Sequence, residues 1–186
     1  MASKNEIDRK GMTELEACVL SLISLEGPCT AYSIRKQFEE SLTSTWHAST
    51  GSIYPLIRRL TERDLLSHQD VESDGRGAKE IEATPAGRKA AQAWLKAVPD
   101  WVGEPAADPI RTRLNFIRLL APGDRVPVVE KMMAATKASL SRVETNRDEL
   151  AAEGRDFDAL TIAGAQHMLR ARLDWLEEVR AYYAGP

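Results

Sequence analysis

Apolar residues recur along the chain at helical spacing, and the breaks in that pattern mark seven helices and one pair of short strands. Leu15, Cys18, Val19, Leu22 and Ile23 share one face of a first helix. The capping box Thr13-Glu14-Leu15-Glu16 opens it and Glu26-Gly27-Pro28 ends it. Thr30 caps a second helix that turns Ile34, Phe38 and Leu42 inward. A polar turn from Thr43 to Ala48 leads to a third, in which Ile53, Leu56, Ile57 and Leu60 form an apolar stripe. Ser49 or Ser52 serves as its N-cap, and Pro55 falls in the first turn, where its missing N–H costs nothing. Leu66 to Glu72 and Ala78 to Ala83 flank the Gly-rich tip Ser73-Asp74-Gly75-Arg76-Gly77 and read as a β-hairpin, although Glu80 and Glu82 are poor strand formers. Thr84-Pro85 then starts a fourth helix through Ala90, Ala93, Trp94 and Val98.

Val98 to Pro109 holds three prolines, Gly103 and small residues, which predicts a boundary: residues 1–98 as one domain, 99–109 as linker and 110–186 as a second domain. Ile110, Leu114, Ile117 and Leu120 line a short fifth helix. After Pro122-Gly123-Asp124, Val126, Val129, Met133, Thr136, Leu140, Val143, Arg147 and Leu150 alternate in steps of three and four, a coiled-coil-like seam. The last helix carries Ile162, Leu169, Leu173, Leu176 and Tyr183, with a second stripe of Met168, Trp175 and Tyr182. So much apolar circumference implies more than one neighbour. The expectation is an all-helical dimerisation domain whose interface uses Val129, Met133, Leu140, Val143, Leu169, Leu173, Leu176 and Tyr183.

The third helix carries the chemistry. Tyr54, Arg58 and Arg59 fall off its apolar stripe, and Ser49, Thr50 and Ser52 crowd its amino end. Hydroxyls and amides there can take phosphate or base edges, and arginine offers bidentate donors to guanine or phosphate. Three helices, a hairpin and a further helix describe a winged helix-turn-helix, so the fold class is mainly α with a small β-hairpin wing. Leu15-Glu16-Ala17-Cys18-Val19-Leu20, Ala31-Tyr32-Ser33-Ile34, Gly51 to Leu60 with its Tyr54-Pro55 pair, and Thr84-Pro85-Ala86-Gly87 resemble the PadR family of transcriptional regulators. The resemblance runs through roughly the first half, and the second half is similar to the larger PadR subfamily with a helical dimer arm. It implies a Tyr54–phosphate contact and a small aromatic or phenolic effector. Tyr32 at the start of the second helix is a further candidate DNA contact or else a packing residue, and Arg76 and Lys79 at the wing either meet a phosphate or the minor groove or keep an exposed hairpin soluble. Ala31 and Asp64 stand where that family usually has glycine, and Ile81 where it has tyrosine.

The net charge of −3 runs against a nucleic-acid partner, so any DNA-binding face must be a local patch. Arg58, Arg59 and Arg63, then Arg76, Lys79, Arg88 and Lys89, are the candidates. Cys18 and Cys29 lack metal or redox spacing and read as structural thiols, with Cys18 in the core. His47, His68 and His167 have no ligand partner at metal spacing, and no nucleophile–base pair is suggested. No enzyme activity, catalytic residue, metal or cofactor is therefore expected. No apolar run reaches membrane-span length and the amino end lacks a signal-peptide pattern, so the expected compartment is the cytoplasm. Trp94, Trp101 and Trp175 are candidates for an effector pocket near the domain junction. The sequence thus predicts a homodimeric, DNA-binding repressor released by a small molecule. The competing readings are a winged-helix adaptor that binds protein rather than DNA, and a ligand scavenger with no operator.

Overall fold

The computed structural model describes residues 12–42, 50–70 and 79–185. The chain divides into two units, Met1–Glu104 and Pro105–Pro186.

In the first unit, α1 (Glu14–Glu26) starts at Thr13, whose hydroxyl accepts from the Glu16 N–H while the Glu16 carboxylate accepts from the Thr13 N–H. Ala17, Val19, Leu20 and Ile23 are its fully buried residues, whereas Leu15, Cys18 and Leu22 are partly covered. The buried face is thus rotated from the expected one and includes Leu20. The rotation follows from α1 lying between β3 and two other helices. α2 (Ala31–Glu40), capped by Thr30, buries Ile34 and Phe38. Leu42 lies beyond its end and is exposed, not inward as expected. A 3₁₀ turn (Thr50–Ser52) leads into α3 (Ile53–Glu62), which buries Ile53, Leu56, Ile57 and Leu60. Asp64, standing where the family usually has glycine, takes the left-handed conformation at φ +56° in the turn after α3, a conformation aspartate tolerates better than most residues.

The hairpin strands β2 (Leu66–Asp70) and β3 (Lys79–Ala83) pair antiparallel, with Leu66 opposite Ala83 and His68 opposite Ile81. A strand that the sequence did not signal, β1 (Cys29–Thr30), pairs with the other edge of β3 and completes a three-stranded sheet in the order β1-β3-β2. Ile81 is buried between Cys29 and His68 in this register.

α4 (Pro85–Lys96) is stitched to the turn after α3. Thr84 donates its hydroxyl to the Asp64 carbonyl (2.8 Å) and accepts from the Gly87 N–H (2.9 Å). Gly87 packs so closely here that an added Cβ would lie 2.0 Å from the Leu65 carbonyl oxygen.

The second unit begins with α5 (Pro109–Asn115), capped by Asp108, followed by a 3₁₀ turn (Ile117–Leu119) in place of one continuous helix. Two long helices, α6 (Pro122–Ala152) and α7 (Asp156–Ala184), form an antiparallel hairpin closed at Gly154, φ +73°. Val129, Thr136, Val143 and Leu150 repeat every seven residues along the buried seam of α6, facing Ala159, Gln166 and Leu176 of α7. Val129, Val143 and Leu176, expected between two copies, are thus buried between helices of one chain. Met133, Leu140, Leu169, Leu173 and Tyr183 are half-buried. Large side chains on the far side of α7, Phe157, Leu160, Met168 and Tyr182, are exposed.

Gly87→Ala is expected to lower stability by about 1–3 kcal/mol, because the backbone of the Leu65 turn must move to admit the methyl group. Thermal unfolding followed by circular dichroism measures it; an unchanged midpoint would show that the turn yields freely.

Candidate nucleic-acid interface

With four aliphatic side chains of α3 in the core, its opposite edge is fixed outward. Tyr54 and Arg58, one turn apart on that edge, are both exposed. The Arg58 side chain is 78% exposed and its Nε lies 3.5 Å from Glu62, itself largely in solvent. Such a surface pair contributes little and can be exchanged for another anion at small cost. Ser52 occupies the N-cap position without a side-chain capping bond, so its hydroxyl is not engaged by the helix end. Tyr32 is exposed at the start of α2, its ring 5.6 Å beneath the Arg35 guanidinium, and Arg35 pairs with Glu39.

Arg59 differs from its neighbour. Its Nε donates to Glu16 Oε1 at 3.0 Å, and Arg63 Nη1 lies 3.7 Å from Glu16 Oε2. Glu16 is 6% exposed in its side chain, and Oε2 also accepts from the Thr13 N–H at 2.9 Å. Burial pushes its carboxyl upward, but the Thr13 bond and the charges of Arg59 and Arg63 together outweigh this and hold it below its ordinary value of 4.5. Sequence reading named Glu16 as a helix cap and missed it as an anchor for the third helix, because the two partners are 43 residues apart.

The remaining candidates separate. Ser49 and Arg76 lie outside the described residues, and Thr50 and Lys79 are placed only by backbone, in the 3₁₀ turn and in β3. Arg88 is turned to the Ala83 carbonyl and Glu82. Ile81 belongs to the core of the first unit and is almost wholly buried. A cavity of about 340 Å³ that the sequence did not signal opens beside α3, floored by Ile57 and Ile81 and rimmed by Tyr54, Arg58 and His68. Burial raises the Cys18 thiol to about 11, with Glu14 adding to the shift, and it raises Cys29 as well, in keeping with unreactive thiols.

Of the three tryptophans, Trp94 packs on the first unit's core with Nε1 toward Glu14 (3.4 Å), and Trp101 lies in a 3₁₀ turn (Asp100–Gly103). Trp175 lines a cavity of about 300 Å³ within the second unit, together with Arg111, Leu114, Tyr182 and Tyr183. Among the described residues no group of metal-ligating side chains converges, and no helix is long and apolar enough to cross a membrane.

The sequence model described as the transcriptional regulator PadR-like family matches residues 19–93, which hold α2, α3, the sheet and most of α1 and α4. A Bacillus subtilis (strain 168) protein described as the negative transcriptional regulator PadR is 22% identical over 182 residues, spanning 91% of this chain and 97% of its own length. The crystal structure of Bacillus subtilis PadR in complex with operator DNA is 23% identical, covers 91% of this chain and 98% of its own, and superposes with a TM-score of 0.79. The same protein in complex with p-coumaric acid is 23% identical, with coverage of 92% and 99% and a TM-score of 0.77. The fold is therefore that of a winged helix followed by a helical domain, and residues 19–93 are similar to the PadR-like family. The matched family and the Bacillus subtilis relative are described as transcriptional regulators.

Because the folded Glu16 carboxyl titrates below its unfolded value, the unfolded chain binds more protons near pH 4. The stability this group contributes is present above that value and is lost as pH falls through the folded pKa. Glu16→Gln is expected to cost about 1.5–3 kcal/mol at neutral pH, the worth of hydrogen bonds to a charged group. Its melting temperature should also fall less steeply than wild type between about pH 5 and pH 3. Parallel pH profiles for the two proteins would remove Glu16 as a stabilising charge.

Proposed function

We propose that this PadR-like chain is a homodimeric transcriptional repressor that reads operator DNA through α3 and is released by a small aromatic acid. The observation that carries the reading is the outward edge of α3, where Tyr54 and Arg58 stand exposed on a helix whose back is fully buried. Arg58 reaches a base edge in the major groove, Tyr54 holds a phosphate, and Ser52 with the 3₁₀ turn ahead of it meets the backbone. Ser49, Arg76 and Lys79 are kept from the sequence as proposed further phosphate contacts, and Tyr32 joins them from the start of α2. Two copies would set their α3 helices about 34 Å apart on successive major grooves of a palindromic site. Repression is assigned because the Bacillus subtilis relative is described as a negative regulator.

The dimer surface we assign is the exposed stripe of α7, Phe157, Leu160, Met168 and Tyr182, flanked by half-buried Met133, Leu140, Leu169, Leu173 and Tyr183. It replaces an interface built on the interior of the hairpin. The Trp175 cavity supports the effector: Trp175, Tyr182 and Tyr183 offer ring faces, and Arg111 a guanidinium for a carboxylate. A ligand there would act by changing the separation of the two reading helices, and a coupling of about 1–3 kcal/mol would shift operator affinity roughly 5–150-fold.

Fluorescence anisotropy with duplex DNA from the region upstream of the chain's own coding sequence, at two salt concentrations, tests the reading. Binding that weakens with salt is expected; no binding at low salt leaves the adaptor. Arg58→Ala is expected to cost about 1–3 kcal/mol and to relax preference at one base pair. A loss of affinity with preference intact assigns Arg58 to phosphate, and no loss removes it from the interface. Met168→Glu should shift the protein to monomer in sedimentation and weaken operator binding by roughly 10²-fold, since each half-site then binds alone. A Met168→Glu dimer would place the interface elsewhere.

A further inference from the structure

We infer that Glu16, which lies on α1 and away from the reading edge, is a positioning residue for Arg59 and makes that arginine a phosphate clamp. The inference rests on the DNA-reading role of α3 and adds to it an acidic residue that serves nucleic-acid binding. Three observations carry it. The Glu16 carboxylate is itself fixed, since Oε2 is held by the Thr13 N–H in the first turn of α1 and the side chain is almost wholly buried. Its other oxygen takes the Nε of Arg59 alone, at 3.0 Å. The Arg59 side chain nevertheless remains 48% exposed, and its two terminal Nη groups have no acceptor among the described residues.

A guanidinium gripped at Nε has one orientation left, and its Nη fork then points away from the grip. Two forked N–H donors held in one plane match two oxygens of a phosphate, and the entropy of ordering a long side chain has already been met within the protein. Arg59 is drawn toward α1 rather than toward the Tyr54–Arg58 edge, so its fork meets the sugar–phosphate backbone beside the groove and not the base edges. Glu16 neutralises only part of this corner. Arg59 and Arg63 both lie near it, leaving a net positive charge from the three groups. The two adjacent arginines of α3 thus divide the work, with Arg58 unanchored for bases and Arg59 anchored for backbone.

The role gives a sign that simple electrostatics does not. Removing a negative charge close to a polyanion tightens DNA binding if charge is all that matters. Loss of a positioning residue loosens it. Glu16→Gln is the variant of choice, because glutamine also completes the capping box and keeps the start of α1. The probe is a duplex selected from a random pool by wild-type protein, with an unselected duplex of equal length as reference. Expected for Glu16→Gln is a loss of about fivefold to tenfold in affinity for the selected duplex, the size of one hydrogen bond in binding. Its log–log salt slope should be smaller by about one contact, and base preference unchanged. Arg59→Ala should reproduce the shallower slope, and the double variant should bind no worse than Arg59→Ala alone.

Tighter or equal binding by Glu16→Gln, or independent losses in the double variant, overturns the inference. If Glu16→Gln melts below the assay temperature, Arg59→Lys decides in its place. It keeps the charge but cannot be gripped at Nε while presenting a fork, so weaker binding supports the clamp and equal binding overturns it. Wild-type protein that selects no duplex from the pool fails the DNA reading itself, an outcome distinct from any of these.

Discussion

The burial of one side of α3 constrains everything proposed for its other side. A ten-residue helix is marginal in water by itself, so Ile53, Leu56, Ile57 and Leu60 hold it in place through contacts with the rest of the unit. Each such side chain contributes about 1.5–3 kcal/mol by leaving water, and all four would have to be exposed to turn the helix over. A rotation by a single residue would carry Arg58 toward the core, where an unpaired charge costs far more than new packing could offset. The outward edge of α3 is therefore a consequence of the core, and Tyr54 and Arg58 face outward because their neighbours cannot. The bonds from Thr84 to the turn after α3, and from Glu16 to Arg59, then fasten the two flanks of the same helix.

The second unit meets its own constraint with a different device. Along the hairpin of α6 and α7 the buried seam alternates aliphatic residues with two polar ones, Thr136 and Gln166. Neither is left unsatisfied. Thr136 donates to the Met132 carbonyl, and the Gln166 amide accepts from Arg147 at 2.6 Å and donates to Glu144 at 3.0 Å. An all-aliphatic seam would be more apolar but would tolerate a slip of seven residues. With Gln166 inside, such a slip strands an amide away from both of its charged partners. Register is thereby fixed, and so is the order in which Phe157, Leu160, Met168 and Tyr182 appear on the outer face of α7.

What was legible in the sequence was what is local. The period of α3, the caps at Thr13, Thr30 and Thr84, and the special turn at Asp64 all depend on residues within one turn of each other. β1 went unread because two residues become a strand only when β3 arrives beside them, some fifty positions later. The Glu16–Arg59 bond was hidden for the same reason. The α6 seam was legible as a seam but not as to its partner, since periodicity is the same whether the facing helix belongs to one chain or two. The signal that could have decided was the short break at Gly154, which returns α7 along α6 before a second chain can occupy that face. Likewise Ile81 could be placed in the second strand but not assigned to the core until its register against Cys29 and His68 was fixed.

An acidic chain and a DNA-reading surface are compatible once the charges are sorted by position. At physiological ionic strength a charge is screened over about 8 Å, so the net charge of −3 has little reach at the contact surface and the nearest groups decide. The acids near α3 fall into two kinds. Glu62 is exposed and bound loosely to Arg58, so DNA phosphate or a guanine edge can replace it. Glu16 is buried behind the helix, held by a backbone N–H, and cannot be displaced without uncovering a carboxylate in the core. In the proposed reading, an acid in front competes with nucleic acid and an acid behind organises the cation that would meet it. The total of positive and negative residues cannot distinguish the two, which is why the overall charge argued against the partner that the local arrangement favours.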